Sequence, residues 1–128
     1  MIYLDTSVVL AQLFADDRCP PEGIWKETPA SSRLSEVEVW TRVHARNLGT
    51  SQGDAVRSLL RRVAFIEFIR PVLQRATEPF PVPVRTLDAL HPASMEFLRY
   101  QDRTLTLASY DRRLLGAARR LGVPSLDL

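Results

Sequence analysis

The sequence predicts an α/β protein built on a central, mostly parallel sheet. Two observations carry that prediction. Short apolar segments alternate along the chain with helical stretches long enough to serve as crossovers. Segments near both ends of the chain, residues 1–4 and 104–108, are each followed by a turn of hydroxyl and acidic residues and then by a helix, the order of a parallel βα unit. No internal repeat, low-complexity tract or linker divides the 128 residues, so they read as a single domain over residues 1–128.

The elements follow in order. Residues 1–4 (MIYL) form the first strand, Asp5-Thr6-Ser7 the turn, and VVLAQLFA the first helix. Residues 16–21 (DDRCPP) are a loop whose two prolines open a short helix holding Ile24 and Trp25. Residues 29–32 are a candidate for a short buried strand. A helix over 34–47 stops near Gly49, and a second covers 54–63. The β-branched run 64–69 reads as a strand, 71–77 as a short helix, and 79–83 as proline-punctuated loop. A helix over 86–100 contains Pro92, which either sits in the first turn or bends the helix beside Asp88. Residues 104–108 (TLTLA) alternate as a strand, and the helix over 111–121 ends at Gly122 in the C′ position. Residues 123–128 add an edge strand.

Composition narrows the function classes. The apolar and charged fractions, 45% and 25%, are those of a globular chain. No run approaches the roughly 20 apolar residues a membrane span needs. The N-terminus has no basic region before its apolar run and does not read as a signal peptide. Cys19, the single cysteine, forms no internal disulfide and suits a reducing, cytoplasmic setting. Of the 17 basic residues all but Lys26 are arginine, a composition compatible with phosphate recognition and equally with solvated arginine faces. A net charge of +2 is no electrostatic footprint by itself.

Four acids stand out. Asp5 ends the first strand, and alone it reads as a helix N-cap. Asp111 has the same placement, with Ser109 an equally good cap that frees Asp111 for another role. Asp88 opens the helix over 86–100, with Thr86 as its cap. Glu38 is the most telling. At 100° per residue, Leu34, Val37, Thr41, Ala45 and Leu48 share one helix face, Glu38 falls within it and Glu36 points nearly opposite. A carboxylate on a buried stripe is costly unless it is paired, here with Arg42 or Arg46, or ligates a metal. Two strand-end acids, one at a helix start and one pointing inward converge at the carboxyl edge of a parallel sheet, where ligands of such folds gather. An all-oxygen set suits Mg²⁺ or Mn²⁺, and the Cys and His spacing that Zn²⁺ favours is absent. His91, three residues after Asp88, reads as a packed or supporting residue. His44 lies at the edge of the stripe. Val39, Trp40 and Val43 form a second apolar surface, covered by the next helix or by a partner.

The segments IYLDTS, SSRLSEVEV, VRTLDALHPAS and ASYDRRLLGAARRLG, in this order, resemble the PIN domain, and most closely the VapC toxins of bacterial toxin–antitoxin modules. The resemblance covers nearly the whole chain, least informatively around residues 16–30 and 50–83. It implies a PIN-like α/β/α sandwich, Mg²⁺- or Mn²⁺-dependent endoribonuclease activity, a homodimer and neutralisation by a VapB-type antitoxin. By position it assigns Asp5, Glu38, Asp88 and Asp111 as catalytic metal ligands and Thr6, Ser7 and Ser109 as supporting hydroxyls. Glu38 falls in an S-x-L-x-x-x-E pattern with Ser32 and Leu34 in register. Glu36 and Pro92 depart from the pattern, and Pro92 puts the geometry beside Asp88 in question. RNA is then expected against Arg42 and Arg46, beside Glu38, and Arg85 and Arg112, near Asp88 and Asp111. Two rivals stand beside this reading. One is a PIN module that binds RNA without cutting it. The other is a phosphotransfer enzyme with Asp5 as nucleophile, but Ser7 stands where such an enzyme carries a second acid.

Overall fold

The computed structural model describes residues 1–15 and 17–128. Among the described residues four strands form one sheet: β1 (Ile2–Leu4), β2 (Ala30–Ser32), β3 (Ala64–Ile66) and β4 (Thr106–Ala108). Their order is β3-β2-β1-β4, and every pairing is parallel. Register is tight beside the first strand, where Tyr3 faces Leu107 on one side and Ala30 on the other. The helices are α1 (Thr6–Phe14), α2 (Arg33–Ala45), α3 (Gly49–Leu60), α4 (Arg70–Ala76), α5 (Leu90–Gln101) and α6 (Arg112–Arg120), with a 3₁₀ turn at Glu22–Trp25. The loop expected over 16–21 carries no regular element from 17 to 21, and Asp16 lies outside the described residues. In place of a terminal edge strand there is one parallel bridge, Leu107 to Ser125.

The centre of the sheet is buried on both faces, and each face has its own core. Leu4, pointing one way, packs with Val8, Val9, Val39, Val43, Val56 and Leu60 beneath α1, α2 and α3. Tyr3, pointing the other way, packs with Met95, Leu98, Leu107, Leu114 and Ala118 beneath α5 and α6. Alternation along a strand delivers neighbouring residues to opposite layers, which makes the α/β/α sandwich.

Two expectations are corrected. The buried face of α2 is Leu34, Ser35, Val39 and Val43, whereas Val37 is 55% exposed and Thr41 and Ala45 face solvent. Apolar count favoured the wrong stripe because Ser35 is small enough to sit against the sheet. Its hydroxyl meets Ser31 at 2.6 Å, and Ser31 donates to the Leu4 carbonyl at 2.6 Å. The surface formed by Val39, Trp40 and Val43 is therefore internal: the two valines are fully buried, and the half-buried Trp40 lies under Arg57 of α3. Second, the helix expected from Thr86 begins at Leu90, after a turn over residues 86–89. Pro92 then occupies the third helical position, where no backbone N–H is needed, and its ring would crowd a helical Asp88 carbonyl, so the helix does not extend back to Asp88.

Candidate active site

The carboxyl ends of β1 and β4 meet at Asp5. Its carboxylate caps α1 by accepting from the Ser7 amide at 3.3 Å, and it also accepts from the Ser7 hydroxyl at 2.5 Å and the Ser109 hydroxyl at 2.9 Å. These bonds all fall on Oδ2, while Oδ1 stands 4.0 Å from His91 Nε2. Ser7 accepts from the Tyr110 amide and Ser109 from the Asp111 amide, so the two strand ends are clamped through Asp5. Asp5 is only 5% exposed. A carboxylate that deep, solvated by neutral donors and one histidine, favours a cation beside it.

Glu38 faces Asp5 across His91. It lies on the flank of α2 rather than on its buried face, with its side chain 38% exposed. His91 Nε2–H donates to its Oε1 at 2.9 Å, and the Thr6 hydroxyl donates to the same oxygen at 2.9 Å. The ion-pair partner of Glu38 is thus His91, with Arg42 acting through its charge. Burial pulls the Glu38 carboxyl upward, but the hydrogen bonds from His91 and Thr6 and the Arg42 charge outweigh it and hold the group below its ordinary range. His91 is pulled down by burial, yet the bond to Glu38 and the charges of Asp5, Glu38 and Asp88 hold it above its ordinary value. Its other nitrogen, Nδ1, is 2.8 Å from the Tyr3 hydroxyl, which also accepts from the Ser32 amide at 3.2 Å. Burial first, and the Asp5 charge second, push the Tyr3 phenol well above its usual range, so it stays protonated.

Asp88 and Asp111 stand apart from this pair. Both are exposed and, with His91, line one cleft of 680 Å³. Asp111 is the N-cap of α6, accepting from the amides of Arg113 at 2.9 Å and Leu114 at 3.4 Å. The capping role expected of Ser109 therefore belongs to Asp111, because Ser109 is held inward by Asp5. Thr86 caps nothing, since α5 starts four residues later without a side-chain cap. Among the described residues no three His, Cys, Asp or Glu side chains are gathered closely enough to hold a metal ion as they stand. Asp5 and Glu38 nevertheless suit a hard cation: Mg²⁺ keeps several waters and needs only one or two carboxylates.

No family model matches the sequence. The chain is 32% identical over 130 aligned residues to ribonuclease VapC47 of Mycobacterium tuberculosis (strain CDC 1551 / Oshkosh), covering 95% of this chain and 93% of that protein. The chain belongs to the VapC family of PIN-domain proteins. In this VapC-type chain the four arginines singled out from sequence divide between two surfaces. Arg85 and Arg112 line the cleft of Asp88 and Asp111. Arg42 and Arg46 line a second groove, of 250 Å³, with Ser7, Arg18 and Tyr110. Arg46 packs over Phe14, and Arg18 over Tyr110.

The sequence alone gives His91 a minor part, whereas the fold sets it between Asp5, Glu38 and Tyr3. Tyr3 escaped notice altogether. A usable signal existed: a tyrosine in a strand buried on both faces needs a partner for its hydroxyl.

Proposed function

We propose that this VapC-type protein is a divalent-metal-dependent endoribonuclease toxin that a VapB-type antitoxin neutralises. The observation that carries the reading is the pairing of Asp5 and Glu38 across His91 at the carboxyl edge of a parallel sheet, in a chain related to a ribonuclease. Asp5 and Glu38 would hold Mg²⁺ or Mn²⁺, with Asp88 and Asp111 completing the acid set from the rim of the cleft. When bound, such a cation lowers the pKa of a water and offsets charge developing on the phosphate.

The side chains supply the rest. Ser7 and Ser109 hold Oδ2 of Asp5, which leaves Oδ1 facing His91. His91 and Thr6 both bind Oε1 of Glu38, leaving Oε2 as the oxygen that would hold the cation. Tyr3 and His91 together hold Glu38 at one rotamer, a preorganisation that a side chain more than one-third exposed lacks by itself.

The test uses purified wild type, Asp5→Asn and Glu38→Gln with RNA, with Mg²⁺ or with a chelator. Cleavage is expected only from the wild type with metal. Undiminished cleavage by either variant sinks the assignment, and a wild type that binds RNA without cutting it is an RNA-binding module. For the toxin half of the reading, expression of the chain should arrest growth, and co-expression of a VapB-type protein encoded beside it should relieve the arrest.

A further inference from the structure

One wall of the cleft does more than the acids require. At 100° per residue, Arg112, Arg113, Arg119 and Arg120 all lie within about 60° of Gly116 on α6, and all five residues line the same 680 Å³ cleft as Asp88, His91 and Asp111. Several arginines elsewhere are committed: Arg33 to Glu36 and Glu67, Arg57 to Asp54, Arg75 to Glu96, and Arg99 to the Leu121 carbonyl. Among the described residues none of the four on α6 has an ion-pair partner. Helix stability does not explain them. Arg119 and Arg120 suit the C-terminal end of a helix, but Arg112 and Arg113 sit in the first turn, against the dipole.

Gly116 is the second, independent observation. A glycine in mid-helix weakens the helix relative to alanine. Packing does not require it here, because a Cβ at this position would meet nothing within 4 Å, and its φ is not in the left-handed region. The space above it is open cleft, midway between two pairs of guanidinium groups two helical turns, or about 10 Å, apart.

Resting on the nuclease reading above, we propose that this face of α6 is the track along which the RNA strand leaves the acid centre. Arg112, Arg113, Arg119 and Arg120 contact its phosphates, and Gly116 is the floor that lets the backbone lie close. A nucleic-acid strand carries a charge at every residue and so matches arginines repeated at two levels of one helix. The cleft lining also includes Val82, Pro83 and Val84, apolar surface against which bases can lie.

The probe is a fluorescein-labelled uridine oligonucleotide about 12 nucleotides long, titrated by anisotropy across a salt series in chelator, so that affinity is read without turnover. Arg119→Ala with Arg120→Ala is expected to flatten the log Kd against log salt slope by roughly 1.4, the loss of two single-strand phosphate contacts. Gly116→Leu should weaken binding on the order of tenfold, comparable to losing such a pair of contacts. Its melting temperature should stay at or above that of the wild type, since leucine is the better helix former. Arg61→Ala with Arg70→Ala removes equal charge outside the cleft and should change neither quantity. An unchanged slope in the double arginine variant, unchanged affinity in Gly116→Leu, or no RNA binding by the wild type overturns the track. A wild type that binds with the expected slope yet never cleaves with Mg²⁺ refutes the nuclease reading and leaves the track standing. Cleavage by the wild type with unaltered binding by the α6 variants refutes the track alone.

Discussion

Removing one oxygen tests the structural logic of the site. Tyr3→Phe keeps the ring in its fully buried place between β1 and α5 and deletes only the hydroxyl. That hydroxyl accepts from the Ser32 amide at 3.2 Å and bonds His91 Nδ1 at 2.8 Å. Both partners belong to buried residues, so neither recovers a water bond in exchange. Each unpaired buried group costs about 1–3 kcal/mol, and partial re-pairing by the histidine places the total near 2 kcal/mol. For a chain of this size that lowers the melting temperature by about 8 °C in differential scanning calorimetry. The loss should be non-additive with His91→Leu by about 1 kcal/mol, because the second substitution removes one of the two orphaned partners. RNA cleavage should fall as well, through the loosened Glu38 rotamer, with the metal requirement intact. A change in stability below about 0.5 kcal/mol, or strict additivity with His91→Leu, refutes the chain of hydrogen bonds from Tyr3 through His91 to Glu38.

Two further outcomes follow from the same geometry. The folded-state value of His91 is raised, so its contribution to stability is fully present below its unfolded value of about 6.5 and is lost as pH rises through the raised value. Glu38 is lowered, so its contribution is present above its unfolded value of about 4.3 and is lost as pH falls. The melting temperature should therefore decline on both sides of that window, and Glu38→Gln should flatten the alkaline limb; an unchanged limb contradicts the pairing. Separately, Asp111→Ala removes the α6 cap and should cost about 1 kcal/mol in urea unfolding. Asp111→Asn should keep most of that stability while reducing cleavage, and equal stability losses in the two variants would argue against the cap.

Much of the site was legible because strand ends announce themselves. An apolar run followed by Asp-Thr-Ser or Ser-Tyr-Asp puts an acid at the carboxyl edge of a parallel sheet whatever the details of packing. Asp5 was readable in this way, as was the presence of Asp111 at the start of α6. Helix boundaries and faces were less legible. Pro92 made the start of α5 ambiguous, and the choice between a first-turn and a bending proline depended on the chain before it. The orientation of α2 could not be taken from apolar count, because Ser35 satisfies its hydroxyl against Ser31 only once β2 lies beside it.

Local pattern alone therefore carried the parallel α/β class and the placement of Asp5 at a strand end, since these depend on period and chain order. Long-range contact was required for the rest. The bond between Tyr3 and His91 spans 88 residues of chain, and that between His91 and Glu38 spans 53. No local period encodes either. They exist because the parallel sheet carries the start of the chain beneath α5, and because burial there leaves each polar group only the partners the fold brings to it.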